Sequence, residues 1–500
     1  MSTPLPLSLS RATGLCSLSA LLLILAFPYA RMSWLTALAL VPYLLALRGQ
    51  TWKRGALLGA WHGFLFQGYI MSWAAFFGIP AFLFLALYKT VLPACLGALL
   101  ASVSRRQPRG FEMLFLLGWM SLEYSQTFGP FGVTWGMLSH AFARFPIFIQ
   151  SCSLLGPSAP SLVLLLLNLA LYAGWSGNPR RRLWWSAGLA ALGANLAFGY
   201  WRLSLVPPSA PRMPVGVAQL AMGRDVKWDP GFAREAMMRA YRLSLEASQQ
   251  GAQLVVWPET AIPYRGFLRD PNLTHEIAML TRQCRAWLLV GSIEKVPDDP
   301  AEHTLNTLSL VSPEGEYEGR YDKQRLVPGG EYLPLERWLR RYRIFDPVMN
   351  YAAGQHPGVV TLTGSPVRLG LPICFESMVP FLSRDRAAQG AQILVVSTND
   401  GWFGRNPAIV HHFEMAIFRA LEQGLPVVQS ANTGISGMVD AYGRVLKETE
   451  IDKVCAIVAE VPLLPLGPTL YHRIGDLLPQ VCLFFFLLKV LRRKVPEPSS

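Results

Sequence analysis

Two kinds of hydrophobic pattern divide the chain. Near residues 13–30, 33–48, 55–75, 79–103, 111–127, 159–176, 183–202 and 474–491, apolar residues follow one another almost without interruption. A helix needs about 20 such residues to cross about 30 Å of hydrocarbon, so the pattern predicts seven membrane spans, an insert, and a closing eighth span. The first run follows Arg11 as a signal peptide would, but no small-x-small cleavage site precedes the next run. It reads as a retained helix. From 203 to 470 the rhythm shortens. Apolar, β-branched runs at 215–219, 254–257, 287–291, 307–311, 367–373, 393–397, 427–430, 436–439 and 455–461 are bounded by turn residues and read as buried strands. Amphipathic stretches at 231–250, 272–285 and 409–423 lie between them, and strands alternating with helices imply an α/β domain of layered sheets.

Composition sharpens this division. The 500 residues are 52% hydrophobic and 15% charged, with a mean hydropathy of +0.29; a soluble protein carries about 25% charged residues. A single soluble domain is excluded. Residues 203–470 hold 26 Lys and Arg against 28 Asp and Glu, leaving 19 basic and 4 acidic residues elsewhere, so the net +13 belongs to the apolar part. Nucleic-acid binding needs a basic face on a folded domain, and here that domain is slightly acidic. The expected organisation is a seven-span region over 1–202, an extracytoplasmic catalytic domain over 203–470, and an eighth span with a basic tail over 471–500.

The orientation follows from the loops. Arg48, Lys53 and Arg54, then Arg105, Arg106 and Arg109, then Arg180, Arg181 and Arg182, then Arg492, Arg493 and Lys494 occupy every second connection, while the intervening ones hold little beyond Arg31 and Arg144. By the positive-inside rule both termini are cytoplasmic and the insert lies outside. Glu123 and His62 fall within spans, where polar groups are functional candidates, although pairing between helices accounts for both.

The seven cysteines are scattered and include no C-x-x-C pair, which suggests neither a disulfide framework nor a zinc site. Three reactive residues stand at strand ends, where α/β sheets meet their ligands: Glu259 after 254–258, Lys323 after Tyr321-Asp322, and Cys374 after 370–373. A cysteine between a strand and a helix start suits nucleophilic attack, with a nearby ammonium and helix N–H groups favouring the thiolate. A buried carboxylate is suited to move its proton. Singly, each signal is weak, since free Cys is commonly core and Glu or Lys at a strand end is usually solvated.

Together they are specific. Trp257-Pro258-Glu259-Thr260, then Tyr321-Asp322-Lys323-Gln324-Arg325-Leu326-Val327-Pro328-Gly329-Gly330-Glu331-Tyr332, then Ile373-Cys374-Phe375-Glu376, resemble in order and spacing the Glu-Lys-Cys signature of the nitrilase superfamily, and Asn399-Asp400-Gly401-Trp402-Phe403-Gly404 adds a fourth match. With the flanking spans, nearly the whole chain resembles the apolipoprotein N-acyltransferase family. The resemblance implies an α-helical membrane bundle carrying an α-β-β-α sandwich on the periplasmic face of the bacterial inner membrane. It implies a phospholipid acyl donor and, as acceptor, the α-amine of an N-terminal S-diacylglyceryl cysteine of an apolipoprotein, with no cofactor and no metal. At matching positions Glu259 is implied as general base, Lys323 as stabiliser of charge and Cys374 as the acylated nucleophile. Glu331 is a second acidic residue of that site, and Trp228 matches an aromatic position near the substrate entrance. Phe375, Glu376 and Trp402 lie inside the matching motifs as supporting positions. Two residues depart from the pattern: Phe375, where the family commonly has Tyr, and Gly329, where it has an aromatic. The chain is expected to act as a monomer.

Other readings are poorer. A membrane-tethered amidase hydrolysing a small carbon-nitrogen substrate would keep the triad but leave eight spans unexplained. A non-catalytic platform would not need all three reactive residues. Ser292 and Lys295 match S-x-x-K without its companion motifs, and His411 and His412, adjacent on a helix, point apart, one expected packed and one exposed. Arg419 and Glu422, one turn apart, are expected as a structural pair.

Overall fold

A computed structural model describes residues 5–106, 110–129, 132–205, 211–223, 230–342, 348–463 and 468–492. The chain forms two compact units, one of residues 1–206 and 473–500 with the short stretch Asn406–Ala408, the other of residues 207–405 and 409–472.

The first unit is helical, with helices Leu9–Ala26, Trp52–Ile70, Ile79–Arg106, Phe111–Ser125, Ser158–Trp175, Arg181–Ser204 and Leu477–Leu491. Among the described residues three are long and apolar enough to cross a membrane: Leu9–Ala26, Ile79–Arg105 and Ser158–Trp175. Trp52–Ile70 has the length, but Lys53, Arg54, His62 and Gln67 dilute its apolar character. The run at 33–48 is not one helix. It forms the 3-10 turn Ser33–Ala37 and then the helix Val41–Leu47, with a proline in that helix's first turn, where its missing N–H costs nothing. Leu21, Phe84, Leu87, Val91, Leu189 and Phe484 face outward, as a lipid solvent permits and water does not. His62 and Glu123 both have hydrogen-bond partners inside. The Ser19 hydroxyl donates to the Ala39 carbonyl at 2.6 Å and meets His62 Nε2 at 3.1 Å, while Glu123 Oε1 accepts from Leu138 N at 2.8 Å and Trp119 Nε1 at 3.2 Å.

Among its described residues the second unit contains twelve strands: β1 (Arg212–Gln219), β2 (Leu254–Val256), β3 (Trp287–Lys295), β4 (Thr304–Val311), β5 (Tyr317–Asp322), β6 (Val359–Thr361), β7 (Arg368–Gly370), β8 (Ile393–Thr398), β9 (Val427–Ala431), β10 (Gly437–Val439), β11 (Val445–Glu448) and β12 (Cys455–Pro462). They form two six-stranded sheets, ordered β12-β1-β2-β3-β4-β5 and β11-β10-β9-β8-β7-β6. Each has three parallel strands at its heart, β1-β2-β3 in one and β7-β8-β9 in the other, with antiparallel strands outside them. The two-residue side-chain period builds the layers. In β2, Leu254 and Val256 join Val215, Leu289, Leu369, Ile393 and Val395 in a core between the sheets, and Val255, with Trp257 just beyond, faces Ala240, Leu243 and Ile277 of the helices Pro230–Gln249 and Pro271–Cys284. On the other sheet, the helix Ala408–Gln423 brings Phe413 against Gly437. The result is a helix–sheet–sheet–helix sandwich. Burying each Val, Leu or Ile in such a core contributes about 1.5–3 kcal/mol.

Candidate active site

The carboxyl ends of β2 and β5 lie along one edge of the first sheet. β5 reaches that edge because two antiparallel steps, β3 to β4 and β4 to β5, restore the direction of β2 and β3. Glu259 leaves β2 after Trp257-Pro258 and Lys323 follows Asp322 directly, both buried. Cys374 comes four residues after the end of β7 in the second sheet. The sheets are stitched here by the Ser397 hydroxyl donating to the Trp257 carbonyl at 2.7 Å and by Asn399 N donating to Glu259 Oε2 at 2.9 Å.

Lys323 is the centre of charge. Its Nζ lies 2.6 Å from Glu331 Oε1 and 3.3 Å from Glu259 Oε1, with the lysine side chain fully enclosed. Each carboxylate is also held from elsewhere: Asn306 Nδ2 donates to Glu259 Oε1 at 2.6 Å, and Val327 N to Glu331 Oε2 at 2.8 Å. Burial alone would lower the pKa of the ammonium, but Glu259, Glu331 and the Cys374 thiol outweigh it and hold the lysine well above its ordinary value. Burial pushes the Glu331 carboxyl up against the opposing pull of Lys323.

Cys374 has a left-handed backbone, φ 49°, at the start of the 3-10 turn Cys374–Met378, and such a conformation costs a non-glycine residue about 1–3 kcal/mol. Glu376 anchors that turn. Its buried carboxylate accepts from Ile373 N, Gln324 N and Arg325 N, each at 2.8 Å, and from the Tyr321 hydroxyl at 2.8 and 2.9 Å. One side chain thus fixes the Cys374 turn to the segment following Lys323. The expectation of a resting thiolate needs correction. Burial and the Glu259 charge raise the Cys374 thiol well above its ordinary value, Asp400 adds to them, and Lys323 and a hydrogen bond with Thr398 only partly offset the rise. The thiol is protonated at rest, so attack requires a base to take its proton as it proceeds.

Residues 215–466 match the carbon-nitrogen hydrolase family and residues 19–170 the apolipoprotein N-acyltransferase N-terminal domain. An apolipoprotein N-acyltransferase of Geobacter metallireducens is 32% identical over 93% of this chain and 92% of its own, and one of Brucella melitensis is 30% identical over 81% and 80%. The chain belongs to the apolipoprotein N-acyltransferase family. The helical region therefore matches the family as well as the sandwich does, which favours this family's reading over that of a membrane-tethered amidase.

Several residues singled out in the sequence occupy distinct places in this family's fold. Phe375 is buried, Trp402 is half-buried in the turn Asp400–Phe403, and Trp228 lies outside the described residues. Gly329 has φ 76°, a left-handed conformation that an aromatic residue adopts only with strain. His411 and His412 are both buried, correcting the expectation that one is exposed, because their helix is covered on both faces. Ser292 points inward and hydrogen-bonds Glu294 at 2.7 Å while Lys295 is exposed, so the S-x-x-K match forms no site. Arg419 and Glu422 form the structural pair expected of them. Asn306 escaped the sequence reading, since a lone Asn inside a strand belongs to no motif. Asp400 lay in plain view within a matched motif, but its partner His412 is brought to it only by the fold.

Proposed function

We propose that this protein is an N-acyltransferase that moves a fatty acyl chain from a phospholipid, through a thioester on Cys374, to the α-amine of an S-diacylglyceryl cysteine at the N-terminus of an apolipoprotein. The observation that carries the reading is the buried cluster of Lys323 with Glu259 and Glu331 in the same charge environment as the Cys374 thiol, within a chain whose other unit is apolar and helical. Both substrates carry acyl chains and reach a site at the lipid surface by lateral diffusion. The alternation of Arg-rich loops supports an eight-span arrangement in the bacterial inner membrane, with the sandwich on the periplasmic side.

In the first half-reaction Glu259 takes the Cys374 proton as sulfur attacks the ester carbonyl of the donor. Two of the three Lys323 N–H groups are engaged by carboxylates among the described residues, leaving the third for the developing oxyanion beside the Phe375 N–H. Glu259 then returns its proton to the departing alkoxide of the lysophospholipid. In the second half-reaction Glu259 takes a proton from the acceptor amine, nitrogen attacks the thioester, and the thiolate leaves and is reprotonated by Glu259. An ester is consumed and a more stable amide formed, so no other energy source is needed.

The test is intact-mass measurement of the purified full chain in detergent after incubation with phospholipid. A fatty-acyl increment on wild type, absent in Cys374→Ala and discharged by a diacylated peptide with a free amine, is expected. Absence of the increment on wild type, or ammonia release from small amides in its place, overturns the reading.

A further inference from the structure

The turn that presents Cys374 is gripped from behind by a fully buried histidine. His412 lies on the helix Ala408–Gln423, with Nε2 2.9 Å from the Ser377 hydroxyl oxygen and 3.2 Å from the Cys374 carbonyl oxygen, and Nδ1 2.7 Å from Asp400 Oδ1. The proton positions follow from the neighbours. With the one Ser377 hydroxyl hydrogen on the Cys374 carbonyl at 2.8 Å, Nε2 faces lone pairs on two oxygens and carries a hydrogen. On the other side Asp400 Oδ1 already accepts from the Thr398 hydroxyl at 2.9 Å, so Nδ1 faces an acceptor and must carry a hydrogen too. A ring with both hydrogens is an imidazolium.

The charges around it agree. Among the described residues Asp400 is buried with no Lys or Arg in ion-pair contact, and His412 is its counter-charge. Gly434 packs so closely that a Cβ there would lie 2.0 Å from Asp400 Oδ2, so a side chain at 434 would displace that carboxylate. Another titratable group acting on the ring is Glu259, which follows β2. Burial alone disfavours the charged ring, but Asp400, the Cys374 carbonyl and Glu259 outweigh it and raise the histidine above its ordinary value.

The consequence reaches the reacting atoms through one peptide bond. The Cys374 C=O and the Phe375 N–H belong to the same rigid plane and point in opposite directions. A grip on the oxygen therefore aims the N–H. We propose that His412, held as an imidazolium by Asp400, is a positioning residue that clamps the Cys374–Phe375 peptide and directs the Phe375 N–H at the oxyanion of acyl transfer. This rests on reading Cys374 as the acylated nucleophile.

The experiment uses the full chain in detergent and follows single-turnover acylation of Cys374 by intact mass. In Asp400→Asn the amide oxygen still accepts from Nδ1, but a neutral ring leaves Nε2 without its hydrogen. Acylation should slow by about 100-fold, the scale of one lost oxyanion donor, with the phospholipid KM unchanged. The variant-to-wild-type rate ratio should rise as pH falls from 8 to 5.5 and the ring, its pKa lowered by burial once the Asp400 charge is gone, regains its proton. His412→Gln, which restores one N–H, should acylate at least tenfold faster than His412→Ala. A pH-independent ratio, or His412→Ala acylating within threefold of wild type, overturns the proposal. A second measurement needs neither folded variants nor acylation. In wild type labelled with 15N-histidine, a neutral His412 ring at pH 7.5 overturns the proposal, whatever the acylation result. Failure of wild type to acylate overturns instead the reading of Cys374.

Discussion

Replacing Lys323 with methionine keeps most of the side chain's length and removes its charge from between two carboxylates. At an effective dielectric of about 20, the attractions across 2.6 Å and 3.3 Å amount to about 6 and about 5 kcal/mol before desolvation is counted. Burying each ion costs several kcal/mol in the other direction, so the net cost of removing the central partner is about 3–5 kcal/mol. For a unit of this size each kcal/mol moves Tm by about 2–4 °C, giving a fall of about 6–20 °C. The sign of its pH dependence is fixed by the carboxyls left behind. Burial and the Glu259 charge hold the folded pKa of Glu331 above the unfolded value of about 4.3. Its stabilising contribution is then whole below that value and lost as pH rises through the folded pKa. In wild type the raised Lys323 pKa means that its contribution is fully present below about 10.4 and lost only above it. Thermal unfolding of both proteins in detergent, followed by tryptophan fluorescence from pH 5 to pH 8, should show the widest gap at pH 8 and a narrower one at pH 5. A gap that is constant, or narrower at pH 8, refutes the charge assignment.

Asn306→Ala removes the donor 2.6 Å from Glu259 Oε1, a hydrogen bond to a charged group worth about 1.5–3 kcal/mol. Single-turnover acylation should slow about 10- to 150-fold at unchanged phospholipid KM; an unchanged rate would show that Glu259 needs no such alignment. Glu376→Gln turns one accepting oxygen into a donor, so at least one of the Ile373, Gln324 and Arg325 N–H groups loses its partner, at a cost of about 1–3 kcal/mol. A drop in Tm together with slower acylation is expected, and Tm equal to wild type would contradict it. Because the Cys374 thiol lies well above its ordinary value, its alkylation by iodoacetamide should still be accelerating with pH at pH 9. A plateau by pH 7.5 would mean a resting thiolate.

Nine of the twelve strands and three of the longer helices of the sandwich can be read from local pattern, because buried strands are short β-branched runs and covering helices are amphipathic. The strands that escape have physical reasons to do so. β11 is a largely exposed edge strand and β6 has three residues, whereas β5, Tyr317–Asp322, which alternates around glycine and charge without an apolar run, shows only as the strand end before Lys323. In the helical unit, the apolar run at 33–48 is broken because composition registers hydrophobicity but not the turn that precedes Pro42.

The reactive residues and their order along the chain are properties of the sequence, since each stands beside a local signal that its neighbours carry. Their protonation states are not. Cys374 was expected as a thiolate from its position before a helical turn, and the folded protein holds it protonated, because burial and the Glu259 charge act through space and outweigh Lys323. His412 and Asp400 stand twelve residues apart, and His412 and Cys374 thirty-eight; only the packing of the helix Ala408–Gln423 against the second sheet brings the three together. Hydrogen bonds and charges act over a few ångströms, so which groups feel one another is decided by tertiary contact, whereas strand and helix patterns repeat over a few residues and are already written in the chain.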